Sequence, residues 1–496
     1  MLKFNKSICW IAALFLVMSA CEEPEQELFT GYTPEEVANS DNPVLIDVLK
    51  ASAYSSIIGT WGGHNSLWSM HEVASDEMVI AHKGADWEDG GQWIRMHQHN
   101  YGPTEQSIGN AWAYCYTAVG EINLLLKRFP DVVALGAELR VLRALVYLWL
   151  IDAYGNVPII LETDDDPTPP TNSRAEVYSF IESSVNDNLA NLSDGTQKTT
   201  MNQMSARMIL AKLYLNAEVY TGTAAWAAAE TQLDAIINSG SYSLENNFFS
   251  NFSTNNGGSS ENILTLPYDE NNAGGFNIAQ MTGHYLTQLT FNLQEQPWNG
   301  YASLEAFYNA YENNDSRRLG FLEGPQFASD GTRLEDLSAE DADPDGAPLT
   351  FTPEINELRP NSLRQAGVRV GKYEYASGAG QSLSNDYPLF RYGDVLLMKA
   401  EADWRQGNSA DALDFVNQIR QRAGADPLTN LDADILLAER GREMFAEGWR
   451  RSDLIRFGKY NDAWWEKSAS PATVNIFPIP QGQLDVNADL VQNPGY

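Results

Sequence analysis

Leu139, Leu142, Val146, Trp149 and Ala153 recur at alternating steps of three and four, which places them on one face of a helix. Gly155 and Pro158 stand where that helix should stop, one as a left-handed cap and the other as a breaker. A loop through Asp164-Asp165-Asp166-Pro167 to Pro170 follows, with Ser173 placed to cap the next helix. Ala206, Leu210, Leu213, Ala217 and Tyr220 form another stripe, broken at Gly222 and resumed by the alanine-rich run from Trp226 to Ile237. Residues 105–240 therefore predict helices in pairs. From 241 to 385 the periodicity fades into Asn, Gly, Asp, Pro and aromatics, which predicts long ordered loops with a few short strands. The helical pattern returns over 386–496, where Leu396-Leu397-Met398-Lys399-Ala400-Glu401 echoes Leu213-Tyr214-Leu215-Asn216-Ala217-Glu218. Each copy is followed by a glycine turn and a second helix, a weak internal repeat.

The start of the chain carries a different pattern. Lys3 and Lys6 precede an apolar run from Ile8 to Met18, and the small residues Ser19-Ala20 precede Cys21. Residues 1–20 read as an export signal too short to span a bilayer. Cys21 at the first mature position is the thiol a bacterial lipoprotein presents for acylation, although Met18 replaces the usual Leu. Several acyl chains on one residue give stable anchoring, because each buried CH₂ contributes roughly 0.8 kcal/mol. A plain secretory signal cut near Ala20 is the alternative. Glu22, Glu23, Glu25 and Glu27 then make residues 21–40 an acidic tether, and the body runs over 41–496.

Charge narrows the partners. With 32 basic against 66 acidic side chains the formal net charge is −34, and loss of Lys3 and Lys6 makes the mature chain more acidic still. Such a surface repels nucleic acid and anionic polymers. Once Cys21 is acylated, Cys115 has no disulfide partner, so stability must come from a core, which a chain of 496 residues at 43% hydrophobic composition can supply.

Four blocks, in order, resemble one family. They are Glu138-Leu139-Arg140-Val141-Leu142-Arg143-Ala144 running to Tyr154-Gly155-Asn156-Val157-Pro158; Tyr387-Pro388-Leu389-Phe390-Arg391-Tyr392-Gly393-Asp394 before Ala400-Glu401-Ala402; Glu439-Arg440 through Glu447-Gly448-Trp449-Arg450-Arg451-Ser452-Asp453-Leu454-Ile455-Arg456-Phe457-Gly458; and Phe477-Pro478-Ile479-Pro480 with the terminal Gln492-Asn493-Pro494-Gly495-Tyr496. The chain is similar to the SusD/RagB outer-membrane lipoproteins over nearly its whole mature length. The resemblance implies a mainly α fold, a superhelix of tetratricopeptide-like hairpins in which Ala400, Trp404, Gly407 and Ala412 hold repeat positions, with long structured loops and a few short strands. It also implies non-catalytic capture of a glycan at the outer face of the outer membrane, and delivery to a SusC-like TonB-dependent transporter. Arg440, Glu443, Glu447, Arg450, Arg451, Asp453 and Arg456 stand at helical spacing with partner charges within a turn of each other, which suits an ion-pair network holding the C-terminal segment against the helices rather than a ligand site.

Candidate chemistry concentrates at 61–116, where Trp61, Trp68, Trp87, Trp93 and Trp112 mix with His64, His71, His82, His97 and His99. A sugar offers a flat apolar face and a rim of hydroxyls, so its receptor needs aromatic platforms beside hydrogen-bonding groups. Asp86-Trp87-Glu88-Asp89-Gly90-Gly91-Gln92-Trp93 supplies both. In the starch-binding member of the family, contacts follow an Asp-Glu pair and come again from a mid-chain loop. Ser75-Asp76-Glu77 resembles that marker, which points to Lys83, Asp86, Trp87 and Trp93; the second loop falls between Tyr285 and Tyr301 and contributes Trp298 and Asn299. Trp87, Trp93 and Trp298 are the expected platform, with Asp86, Lys83 and Asn299 as polar partners. Charge favours a neutral glucan over a polyanion, with mannan and xylan open.

Other chemistries are weaker. Asp341, Asp343, Asp345 and Gly346 open like a Ca²⁺ loop, but Thr352 stands where its closing Glu belongs, so a plain acidic turn is preferred and no metal or cofactor is expected. His97 and His99 have no third ligand in view and read as hydrogen-bonding groups. There is no GxSxG, HExxH or P-loop, and a glycoside hydrolase is the less favoured reading. A lipoprotein capturing peptide or glycopeptide on its helical repeats is the alternative in a different class.

Overall fold

The computed structural model describes residues 43–337 and 348–496. Cys21, the acidic tether and Asp341, Asp343 and Asp345 lie outside the described residues. The described residues open with α1 (Pro43–Ile58) and α2 (Leu67–Val73), then the short strand β1 (Met78–Ile80) and α3 (Gln92–His97). Next come α4 (Gln106–Arg128), α5 (Val133–Ala153), α6 (Arg174–Asn186), α7 (Gln203–Leu215) and α8 (Trp226–Asn238). The stripe expected at 139–153 thus lies inside α5, and Gly155 follows it at φ +72°. Ser173 caps α6 in a reciprocal box with Glu176, which satisfies free amides of the first turn from both sides.

Successive helices stack on one another: α4 on α5, α5 on α6, α6 on α7, α7 on α8. The stack then skips the loop-rich stretch altogether. α8 packs directly on α9 (Tyr392–Arg405), which pairs with α10 (Ser409–Ala423) and touches α11 (Ala433–Met444). The two helical blocks are therefore one solenoid, because each hairpin buries an apolar face only against a neighbour. Residues 241–337 and 348–385 hold short helices and strands pinned to its flank. Among the described residues every sheet has two strands. β2 (Asn262–Leu266) pairs antiparallel with β4 (Tyr387–Arg391), and β1 pairs antiparallel with β3 (Tyr301–Ser303), Met78 opposite Ser303 and Ile80 opposite Tyr301.

The charged signature forms an ion-pair network that holds the C-terminal segment against the helices, though its partners are not confined to one turn. Arg456 and Asp453 pair within a turn, at 2.6 Å, and Arg440 reaches Asp453 at 2.8 Å. Further partners come from remote elements: Arg440 meets Asp394 of α9, Arg450 meets Asp76, Arg451 meets Asp152 of α5 and Arg456 meets Glu401. Beside them, fully buried Arg391 binds Glu261, Glu443 and Glu447, while fully buried Arg317 binds Asp315, Glu439 and Glu443. Here carboxylates meet most of the donors of these two buried guanidinium groups, and this set bolts the C-terminal helices to the rest.

Candidate functional site

The β1–β3 ladder brings two distant loops together, residues 81–91 after β1 and residues 283–300 before β3. In the first, Trp87 and Asp89 adopt left-handed φ values of +61° and +40°, followed by Gly90 and Gly91 at +63° and +76°. A bulky residue holds such a conformation only where its surroundings enforce it. Trp87 is held by its indole N–H, which donates to the Trp298 carbonyl at 2.6 Å, and by Gly300, where an added Cβ would run into the Trp87 ring. Glycine at 300 is thus required by close approach of the ring.

Around Trp87 opens a cavity of about 500 Å³ lined by His64, Asp86, Asp89, Tyr285, Gln296, Pro297 and Trp298. Tyr285 is half-buried and its hydroxyl donates to the Asp86 carboxylate, which links the two loops. The Arg364 guanidinium stacks 4.4 Å above the Tyr285 ring and pairs with Asp336, fixing the ring from behind. Trp298 is half-buried. His64 stands edge-on to Trp87 with ring centres 5.0 Å apart, and its Nδ1 lies 2.8 Å from the Tyr301 hydroxyl. Burial pulls the His64 pKa down to about 4 against the opposing pull of Asp89, so the imidazole is neutral near pH 7. The lining holds two carboxylates, Asp86 and Asp89, and no Lys or Arg.

Asp86, Trp87, Tyr285 and Trp298 are the expected site residues that meet at this cavity. Trp93 does not join them: it is fully buried with its N–H donated to Asp89 at 2.9 Å, so it has no face to offer. Asn299 is also fully buried, bonded to the Arg364 carbonyl and to Arg369, and shapes the loop from inside. Tyr301 is fully buried too, its hydroxyl shared between His64 and Ser69. Lys83 lies outside the lining, its amine 3.4 Å from the carbonyls of Ala81 and Gly300. Burial and Arg369 draw that amine down to about 7, opposed by Asp86. His64, Asp89, Gln296 and Pro297 complete the lining without having been singled out for it. His64 and Asp89 sit inside the aromatic-rich stretch; Gln296 and Pro297 carry no sequence signal beyond lying in the second loop.

A larger cavity of about 580 Å³ lies between α1, α5 and residues 191–201, but Tyr54 is its single aromatic. Lys50 and Tyr54 both donate to the Glu138 carboxylate there. His97 bonds the Trp465 carbonyl, and His99 lies between Ser470 and the Ala74 carbonyl. Among the described residues no three His, Cys, Asp or Glu side chains converge as metal ligands.

The sequence model described as "SusD family" matches residues 192–496, and that described as "Starch-binding associating with outer membrane" matches residues 43–229. The chain is 26% identical to the starch-binding protein SusD of Bacteroides thetaiotaomicron over 498 residues, covering 88% of this chain and 86% of that protein. It is 25% identical to the SusD-like protein P38 of Formosa agariphila over 547 residues, covering 99% of each. Among solved structures, a laminarin-binding SusD-like protein superposes with a TM-score of 0.74 at 23% identity, over 92% of this chain and 100% of that one. Surface glycan-binding protein A from Bacteroides thetaiotaomicron, in complex with laminarihexaose, superposes with a TM-score of 0.72 at 21% identity, over 91% and 99%. At these identities the structural likeness establishes the fold.

Proposed function

Because the chain belongs to the SusD family, we propose that it is a surface lipoprotein of the outer membrane, held by acylated Cys21, that captures an oligo- or polysaccharide without altering it. It then passes the glycan to a SusC-like TonB-dependent transporter, which supplies the energy for uptake. The observation that carries this reading is the meeting of Trp87, Tyr285 and Trp298 at one open cavity beside Asp86, Asp89 and Gln296. Aromatic faces accept the C–H side of a pyranose, while carboxylate oxygens and an amide receive and donate hydrogen bonds at its hydroxyl rim.

Two carboxylates with no cation in the lining repel uronate or sulfated chains and accept hydroxyl donors, which favours a neutral glycan such as a glucan. Preorganisation supports capture as well. Trp87 is locked by its bond to Trp298 and by the close floor at Gly300, so little ordering remains to be done on binding. Gel retardation of the mature chain by laminarin, soluble starch, mannan, xylan and an acidic polysaccharide, with released reducing ends assayed in parallel, tests the reading. Retardation by a neutral glycan without product is expected. Product formation would make it a hydrolase, and silence across the panel with binding of peptides would make it a peptide receptor.

A further inference from the structure

Trp465 lies at the tip of a tight turn outside the cavity described above. Trp464 and Lys467 pair across that turn with N–H to carbonyl distances of 3.1 and 3.0 Å, and Glu466 takes a left-handed φ of +54°. The end of α3 clamps the turn from the protein side. His97 Nε2 is 2.8 Å from the Trp465 carbonyl oxygen, and the Gln98 amide donates to the Glu466 carbonyl at 3.1 Å. The backbone that carries a half-buried tryptophan is thereby fixed, which is what a binding platform requires and a freely exposed turn residue lacks.

Trp465 forms one wall of a cavity of about 200 Å³ completed by Leu304, Glu305, Ala306, Asn309 and Ile355. Leu304 and Ile355 are buried and make an apolar floor, whereas Glu305, Ala306 and Asn309 are exposed around the rim. A flat aromatic wall, an apolar floor, a carboxylate and an amide repeat the chemistry of the Trp87–Trp298 cavity on a smaller scale. The volume suits a compact ring, and the single short recess offers no groove for an extended peptide or an amphipathic helix.

The two cavities are tied by common elements. Gly300 lies beneath the Trp87 ring and Leu304 floors the second cavity, so β3 sets them four residues of extended chain apart, roughly 13 Å. α3 joins them independently: Trp93 packs against Tyr301 and His64 behind the first cavity, and His97, one turn on, packs against Trp465. We infer that the Trp465 cavity is a second carbohydrate subsite, taking a pyranose unit from the same neutral glycan chain that occupies the Trp87–Trp298 cavity. This rests on the proposed glycan-binding function. A long chain engages both cavities and gains from effective concentration, whereas a short oligosaccharide reaches only one.

The test uses the mature chain labelled with 5-fluorotryptophan, its ¹⁹F resonances for Trp298 and Trp465 assigned through Trp298→Phe and Trp465→Phe. Laminarin, soluble starch, mannan and xylan are each titrated, together with short oligosaccharides of each. Polysaccharide is expected to move both resonances and a short oligosaccharide chiefly that of Trp298. Trp465→Ala, which removes a half-buried ring from a turn, is expected to weaken polysaccharide binding roughly tenfold and leave short-oligosaccharide binding unchanged. Movement of Trp298 with a stationary Trp465 overturns the second subsite and leaves the first intact. Movement of Trp465 alone overturns the first assignment and, with it, the sharing of one chain between the two cavities. If neither responds to any glycan, the glycan-binding reading fails together with the inference.

Discussion

In the loops that line the Trp87–Trp298 cavity, individual tryptophans divide into those that face the cavity and those that hold the loop. Trp298→Ala removes a half-buried ring at the cavity mouth and is expected to lower glycan affinity at least tenfold with little change in thermal stability, as calorimetry and a melting curve would show. Trp93→Ala deletes a fully buried ring and is expected to cost about 3–5 kcal/mol of folding stability, read by denaturant unfolding. The sequence made this division only partly legible. Clustering of tryptophan with Asp, Gly and His marked the loops that line this cavity. It could not separate Trp87 from Trp93, since that depends on partners far along the chain: the Trp298 carbonyl for one, and the packing of Tyr301 and His64 for the other. Asn299 and Tyr301 were misassigned for the same reason, as Arg369 and Ser69 claim their polar atoms from elements the sequence does not place nearby.

Whole elements differ in how far local pattern determines them. α5 and α6 follow from a 3.6-residue period closed by Gly155 and opened by the Ser173 cap, all local signals. β1 and β3 have three residues each and exist through each other, so nothing local announced them. Yet this ladder sets the site, and Gly300 at its edge is its tightest point. Gly300→Ala is expected to displace Trp87, abolishing most glycan affinity while the helical circular dichroism stays unchanged. The charged signature was legible as an ion-pair network, but helical spacing hid the long-range partners. Arg391→Ala would leave Glu261, Glu443 and Glu447 buried beside a lost cation and is expected to cost about 3–5 kcal/mol, whereas loss of an exposed pair such as Lys127–Asp165 is expected to cost about 0–1 kcal/mol.

For the molecule entire, protonation opposes folding on the acid side. Burial lowers all six histidines: His64, His71, His97 and His284 to about 4, His99 to about 2, and His82 in the same direction. Below the ordinary histidine value of about 6.5 the unfolded chain therefore binds protons that the folded chain does not, and stability falls with pH. Glu72, raised to about 7 by burial, and Glu77, raised by burial and by Glu72, act in the opposite sense over the same window, because the folded chain keeps protons there that the unfolded one loses. Six sites outweigh two, so the melting temperature is expected to rise between pH 5 and pH 6.5; a flat or falling profile would contradict this balance. The solenoid and the strongly acidic surface suit a receptor that meets neutral polymers outside the cell. If Trp87, Tyr285 and Trp298 hold such a polymer, calorimetric titration of the retarding polysaccharide into wild type and Trp298→Ala will show it: saturable binding with no heat of hydrolysis is expected, with at least a tenfold loss in the variant. Equal affinity in a folded Trp298→Ala protein would place the binding surface elsewhere.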